Sequence, residues 1–327
     1  MVWKGWETMK RSILALFTVV LGVYSPVFGG KLDQKQIPAD SAWLVHLDFE
    51  TFGSTQIGQL VTAEIKSKHQ DKINALQELI GSNLMTDVAS VTLFGPDAQE
   101  ENAVSLIKGR YNKEKLLAIL KLNQTYGQTA YDNYTLHTWV DDKRKKEQVG
   151  AFAGEDLIVI SETQTAIKAA LDVLAGKQTS LAQQAQLPLF SLSQTPNGAF
   201  IIAAAEGLSK LAGEEHAAIL KNSNFMVFIT SEQAGNLKAH LQLESETEES
   251  AMQIEQVVRG MLAFATLQMK DQPQLQKLLQ SGVISRDGKN LQVDLSAPSG
   301  GVFDLIKSHG VIKHYNPSGK KEKKAYC

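Results

Sequence analysis

The sequence predicts an α+β fold made of two diverged copies of one unit. Each copy runs strand, helix, strand, strand, helix, hairpin, helix, with antiparallel sheets covered by helices on one face. Three observations carry this. Residues 42–50, Ala-Trp-Leu-Val-His-Leu-Asp-Phe-Glu, alternate with the period of a strand. The pattern returns in degenerate form at residues 199–206, Ala-Phe-Ile-Ile-Ala-Ala-Ala-Glu. The patterns that follow each copy then come in the same order, with one extra strand in the first. Strands that neighbour one another in sequence and alternate with amphipathic helices favour antiparallel pairing. The two starts, Trp43 and Phe200, are too far apart for a solenoid repeat and suit duplicated domains.

Each element has its own justification. In the first strand Trp43, Val45, Leu47 and Phe49 form the expected dry face, and Leu44, His46, Asp48 and Glu50 the opposite one. Residues 54–80 place Ile57, Leu60, Val61, Ile65, Ile73, Leu76 and Leu79 near three-four spacing, which predicts a long helix ended by Gly81. Residues 88–94 and 103–110 read as an antiparallel pair across the loop beginning Gly95-Pro96-Asp97. Asn112 is the expected cap of a helix over 113–122, and strands over 134–140, 148–153 and 156–161 follow. A helix over 162–175 stops at Gly176. In the second copy a helix over 207–222 follows the strand, then strands over 225–230 and 237–243. Ser245 with Glu248 has capping-box spacing for a helix reaching about residue 269. Asp287-Gly288 marks a hairpin between 282–286 and 290–295, and Ser299 is the expected cap of a final helix over 301–308.

Composition bounds the class. The 327 residues are 43% apolar and 21% charged with a net charge of -2, which fits a globular protein and gives no polyanion signal, so nucleic acid is not an expected partner. At the N-terminus Met9-Lys10-Arg11 forms a basic region and residues 13–23 an apolar run; Pro26 follows, and Val27 and Gly29 occupy the −3 and −1 positions of a cleavage site. This is the pattern of a secretory signal peptide. The apolar run is shorter than the roughly 20 residues that span a bilayer, so no transmembrane segment is expected after cleavage. Met9 is an alternative start, and an uncleaved N-terminal anchor is the alternative reading of the segment. The expected organisation is a signal peptide over 1–29, a first repeat over 30–177, a linker over 178–197, a second repeat over 198–309 and a basic tail over 310–327. The lone cysteine, Cys327, excludes an internal disulfide and gives no lipid-anchoring thiol near the cleavage site. The expected location is the periplasm or the exterior of the cell.

The signal peptide, Pro38-Ala39-Asp40-Ser41-Ala42-Trp43, the strand Tyr134-Thr135-Leu136-His137-Thr138-Trp139 with Asp141-Asp142-Lys143, and the helix end from Ala169 to Lys177 together give the chain a resemblance. It is similar to exported bacterial proteins of unknown function that form no characterised family. The resemblance implies export and a fold common to residues 38–306, and brings no activity with it.

Two side-chain groupings carry possible chemistry. His46, Asp48 and Glu50 alternate on one strand face, and an imidazole with two carboxylates is a competent set for a metal or for acid-base work. Against this, alternating polar residues commonly form a merely solvated face, and the second copy has Ala203 and Ala205 opposite His46 and Asp48. The second grouping is Lys143, Arg144, Lys145 and Lys146 beside His137 and Trp139, which share a strand face; it could seat an anionic glycan, a lipid headgroup or partner carboxylates. Charged hairpin tips are commonly only solvated. Nucleophile signatures fail: Gly207-Leu208-Ser209-Lys210-Leu211 lacks the second glycine of a nucleophile elbow, and Ser105 and Lys108 on a strand point to opposite faces. No cofactor is implied. The expected function is therefore that of an exported binding or structural module for an envelope component or protein partner. A metal-assisted hydrolase using His46, Asp48 and Glu50 is the alternative.

Overall fold

Among the described residues, twelve strands join in one antiparallel sheet. The computed structural model describes residues 29–184, 195–211, 222–268 and 273–308. The expected signal peptide up to residue 28, part of the expected linker (185–194), most of the helix expected over 207–222 and the expected basic tail lie outside the described residues.

The first half contributes β1 (Trp43–Asp48), β2 (Val88–Gly95), β3 (Val104–Gly109), β4 (Gly127–Tyr131), β5 (Tyr134–Val140), β6 (Glu147–Phe152) and β7 (Leu157–Ser161). The second contributes β8 (Ala199–Glu206), β9 (Ser223–Gln233), β10 (Asn236–Ser245), β11 (Val283–Asp287) and β12 (Asn290–Pro298). The two opening strands of the expected repeats are neighbours: β1 pairs antiparallel with β8, Leu44 opposite Ala204 and His46 opposite Ile202. The sheet is thus continuous from one half to the other. Outward from that seam the pairing runs 1-2-3-7-6 on one side and 8-9-10-12-11 on the other, with β5 and β4 added only at the first edge. β4 is a strand the sequence pattern missed, because Gly127-Gln128-Thr129-Ala130-Tyr131 is a polar edge strand with no dry face to signal it.

The connecting helices are α1 (Phe49–Ser54), α2 (Gln56–Ile80), α3 (Leu84–Asp87), α4 (Lys113–Leu120), α5 (Gln164–Leu174), α6 (Leu208–Leu211), α7 (Glu248–Gln268), α8 (Pro273–Gln280) and α9 (Ser299–Ser308). Several expected punctuation marks are in place. Asn112 caps α4 by accepting from Lys115 N at 2.9 Å. Gly81 and Gly176 end α2 and α5 in left-handed conformations. Gly288 turns the β11-β12 hairpin with a φ of 54°. The cap of α7 is not Ser245, which closes β10; Thr247 does this work, accepting from Ser250 N at 3.0 Å. Glu232 ties the halves together, since its carboxylate accepts from Gln56 N and Ile57 N at the start of α2 and from the Ser299 hydroxyl of α9.

The helices lie on both faces of the sheet rather than on one. On the face that carries Leu44, α5 buries Ile167, Ala170 and Leu171 against Phe94, Val104, Leu106, Val149 and Val159. The turns around Ile37 and Leu181 close the same core. Leu181 opens the expected linker, so that segment begins as part of the core. On the face that carries Trp43, α2 and α9 pack Ile57, Val61, Phe303 and Ile306 near Ile201 and Leu237. Farther along this face α7 lays Ile254, Val258 and Leu262 over Leu243, Leu291 and Val293. No described helix is long and apolar enough to cross a membrane.

Candidate functional site

The polar side of β1 proves to be its more buried side. His46 is 1% and Asp48 3% exposed, while Trp43 and Val45, on the expected dry face, are half-buried. Burial is tolerated because each polar atom has a partner. His46 Nε2–H donates to the Gly30 carbonyl at 2.8 Å, which leaves Nδ1 to accept from the Thr92 hydroxyl at 2.9 Å. Burial pushes the His46 pKa down from 6.5 to about 4, against the opposing pull of Asp48 and the Gly30 carbonyl. The imidazole is therefore neutral and of fixed tautomer at neutral pH. Asp48 caps α1, accepting from Thr51 N at 2.8 Å and from the Thr51 hydroxyl at 2.6 Å.

Glu50 does not share the strand face, because β1 ends at Asp48 and α1 turns Glu50 toward the incoming chain. There it accepts from Gly30 N at 3.0 Å. The shared strand face expected of His46, Asp48 and Glu50 is therefore not formed. The cap at Asp48 ends the alternation on which the reading depended. Among the described residues no group of three or more His, Cys, Asp or Glu side chains is placed to hold a metal ion.

The second grouping is divided. His137 and Trp139 do share the Trp43 face, where Trp139 lies over Gly150. His137 is buried between Tyr126, whose hydroxyl is 2.9 Å from Nδ1, and Phe152, which it meets edge-on. Burial and then the charges of Lys113 and Lys121 lower its pKa. The basic residues sit in a tight turn in which Asp141 accepts from Lys143 N and Arg144 N and Lys145 has a positive φ. Two of the four charges are already spent: Lys146 reaches Glu162 at 2.9 Å and Glu100 at 3.4 Å, and Arg144 reaches Glu162 at 3.4 Å. Lys143 and Lys145 remain exposed; the charge of Lys143 acts on Asp141 in the same turn.

A third feature was not singled out from the sequence. Between α7 and the sheet lies a groove of about 390 Å³, walled by Met226, Leu241, Leu243, Val258, Leu262 and Val293 among other apolar side chains. Its lining includes no polar residue. The helix that roofs it also leaves apolar side chains in water beside the groove: Met261, which lines the groove as well, Phe264 and Leu267 are each more than 60% exposed and Val257 about half. At the edge where α7 meets β11, Glu255 is shared by Arg259 at 2.8 Å and Arg286 at 2.9 Å, so two guanidinium groups face one carboxylate. The signal was present as the apolar residues Val257, Met261, Phe264 and Leu267, which continue the helical period beside the stripe Ile254-Val258-Leu262.

No family model and no curated protein matches the chain, in keeping with its resemblance to proteins that form no characterised family. Among solved structures, crystal form III of TP0453 is similar with a TM-score of 0.49 and 12% identity, over 85% of this chain and 99% of that one. Crystal form I of TP0453 gives a TM-score of 0.46 and 11% identity, over 85% and 98% of the two chains. At this level the likeness concerns overall arrangement and carries no functional argument.

Proposed function

We propose that the protein is an exported binding module whose ligand is an amphiphile, held by its hydrocarbon chain in the groove under α7. The observation that carries this is the groove's wholly apolar wall beside a helix whose apolar surface extends past the groove into solvent. A groove of this size lies within the range used for small ligands, and apolar walls give a hydrocarbon chain what water cannot. The exposed stripe Val257-Met261-Phe264-Leu267 gives up about 25 cal/mol for each Å² of apolar surface left in water, a standing cost that contact with an apolar ligand removes. The excess guanidinium charge of Arg259 and Arg286 around Glu255 suits an anionic headgroup. An envelope lipid or a fatty acid has this chemistry, which agrees with the export expected from residues 1–29.

The experiment is a titration of the purified chain with cis-parinaric acid, whose fluorescence rises in an apolar site, followed by displacement with palmitate. Saturable binding that Ala265→Phe weakens at least tenfold, with little change in thermal midpoint, is the expected result. Fluorescence that does not saturate, or that is indifferent to Ala265→Phe and to Leu241→Trp, would overturn the reading.

A further inference from the structure

We propose that the corner beneath β1 is the seat of the mature N-terminus: the chain is cut between Gly29 and Gly30, and the new α-ammonium of Gly30 pairs with the carboxylate of Glu50. This is independent of the amphiphile reading. From the sequence it takes only the cleavage pattern at Val27 and Gly29.

Burial changes at that bond, and Lys31 just beyond it is exposed again. Gly29 is exposed, and among the described residues a Cβ there would meet nothing within 4 Å, whereas Gly30 is buried. Both backbone polar groups of Gly30 are held by side chains distant in sequence. Its nitrogen donates to Glu50 Oε2 at 3.0 Å, and its carbonyl accepts from His46 Nε2 at 2.8 Å. Nothing larger than glycine fits there, since a Cβ would run into the Asp48 carboxylate and come within 2.8 Å of the Ala89 carbonyl oxygen. A terminal residue is ordinarily the least constrained part of a chain, so a first residue gripped on three sides calls for a cause.

Charge supplies one. The titratable groups at this corner are His46 and Asp48 from β1, Glu50 from α1 and, next along the chain, Lys31; the facing strand β2 offers the uncharged Ser90 and Thr92, and Lys108 of β3 lies opposite Ser90. His46 is neutral here. Asp48 is occupied by Thr51, and among the described residues Glu50 accepts from the neutral amide of Gly30 while the chain is uncut. Hydrolysis by an endopeptidase that removes signal peptides consumes one water. Gly29 departs with a carboxylate, and the nitrogen of Gly30, gaining a proton, becomes an ammonium within reach of Glu50. The same contact then becomes a charge-assisted pair, which is stronger than the amide bond it replaces. Folding is thereby coupled to processing, because only the cut chain presents the group that Glu50 is placed to receive.

The carboxylate beside it should hold the ammonium's pKa above the ordinary range of about 7.7–8.0 for an α-amino group. A raised pKa gives stability that is complete below the unfolded value and lost as pH climbs through the folded one. The test has two arms. N-terminal sequencing of the protein exported by its native host should return Gly30 as the first residue; any other first residue overturns the assignment. In the second arm, two full chains are made, one beginning at Gly30 and one retaining Gly29, which keeps the amide donor without its charge. The chain beginning at Gly30 should melt higher by about 2–4 °C at pH 6.5, and the difference should vanish near pH 10. Glu50→Gln should abolish the difference at every pH. Equal midpoints for the two wild-type chains at pH 6.5, or a difference that survives Glu50→Gln, would overturn the ion pair.

Discussion

The two faces of the sheet solve the same problem differently. On the Leu44 face, α5 presents a single apolar stripe, Ile167, Ala170, Leu171 and Val173, and all of it is buried. Even the polar residues on that face, His46 and Thr92, are sealed in and bonded to one another. On the Trp43 face, α7 buries Ala251 and Ile254 but leaves Val258 and Leu262 half-covered over a groove, and turns Phe264 and Leu267 to solvent. Both helices are amphipathic; only one has its apolar surface matched by the sheet beneath it. A closed face is a stability element, and a face with apolar surface to spare is a place for something else to bind.

This contrast can be broken by experiment. Leu171→Ala, on the closed face, should cost about 2–5 kcal/mol in urea-induced unfolding, because rigid packing on every side prevents collapse into the vacated space. A cost near 1 kcal/mol would show the closed face to be loose as well. Acid sharpens the contrast next. The depressed pKa of His46 means that its contribution is complete above pH 6.5 and drains away as pH falls toward about 4. Over that window the loss from this group approaches roughly 3 kcal/mol, read as a falling thermal midpoint that His46→Gln flattens. The smallest effect is expected on the open face. Phe264→Ser should leave the unfolding midpoint within about 0.5 kcal/mol of wild type, since its ring is 63% exposed. A large loss there would mean that α7 is structural on both its sides.

Glu50 and His46 show where a sequence pattern misleads. Their alternate spacing suggested one strand face open to a ligand, yet Asp48 caps a helix at the position where alternation would have continued, and Glu50 leaves the strand. His46 reads as a polar, outward residue until Gly30 and Thr92 are seen on either side of it, contacts at sequence separations of 16 and 46. The basic run at residues 143–146 was visible as charge, but the neutralising Glu100 and Glu162 come from other loops.

What the sequence determined by itself is local. Strand and helix periods, the caps at Asn112, Gly81 and Gly176, and the turn at Asp287-Gly288 all follow from interactions within a few residues, as does the antiparallel α+β class. Tertiary structure decided which face of β1 is buried, that β1 and β8 join the halves in one sheet, that helices occupy both faces, and that α7 roofs a groove it does not fill. Those outcomes depend on which distant side chains supply hydrogen-bond partners and apolar area, and a period within one segment holds no record of them.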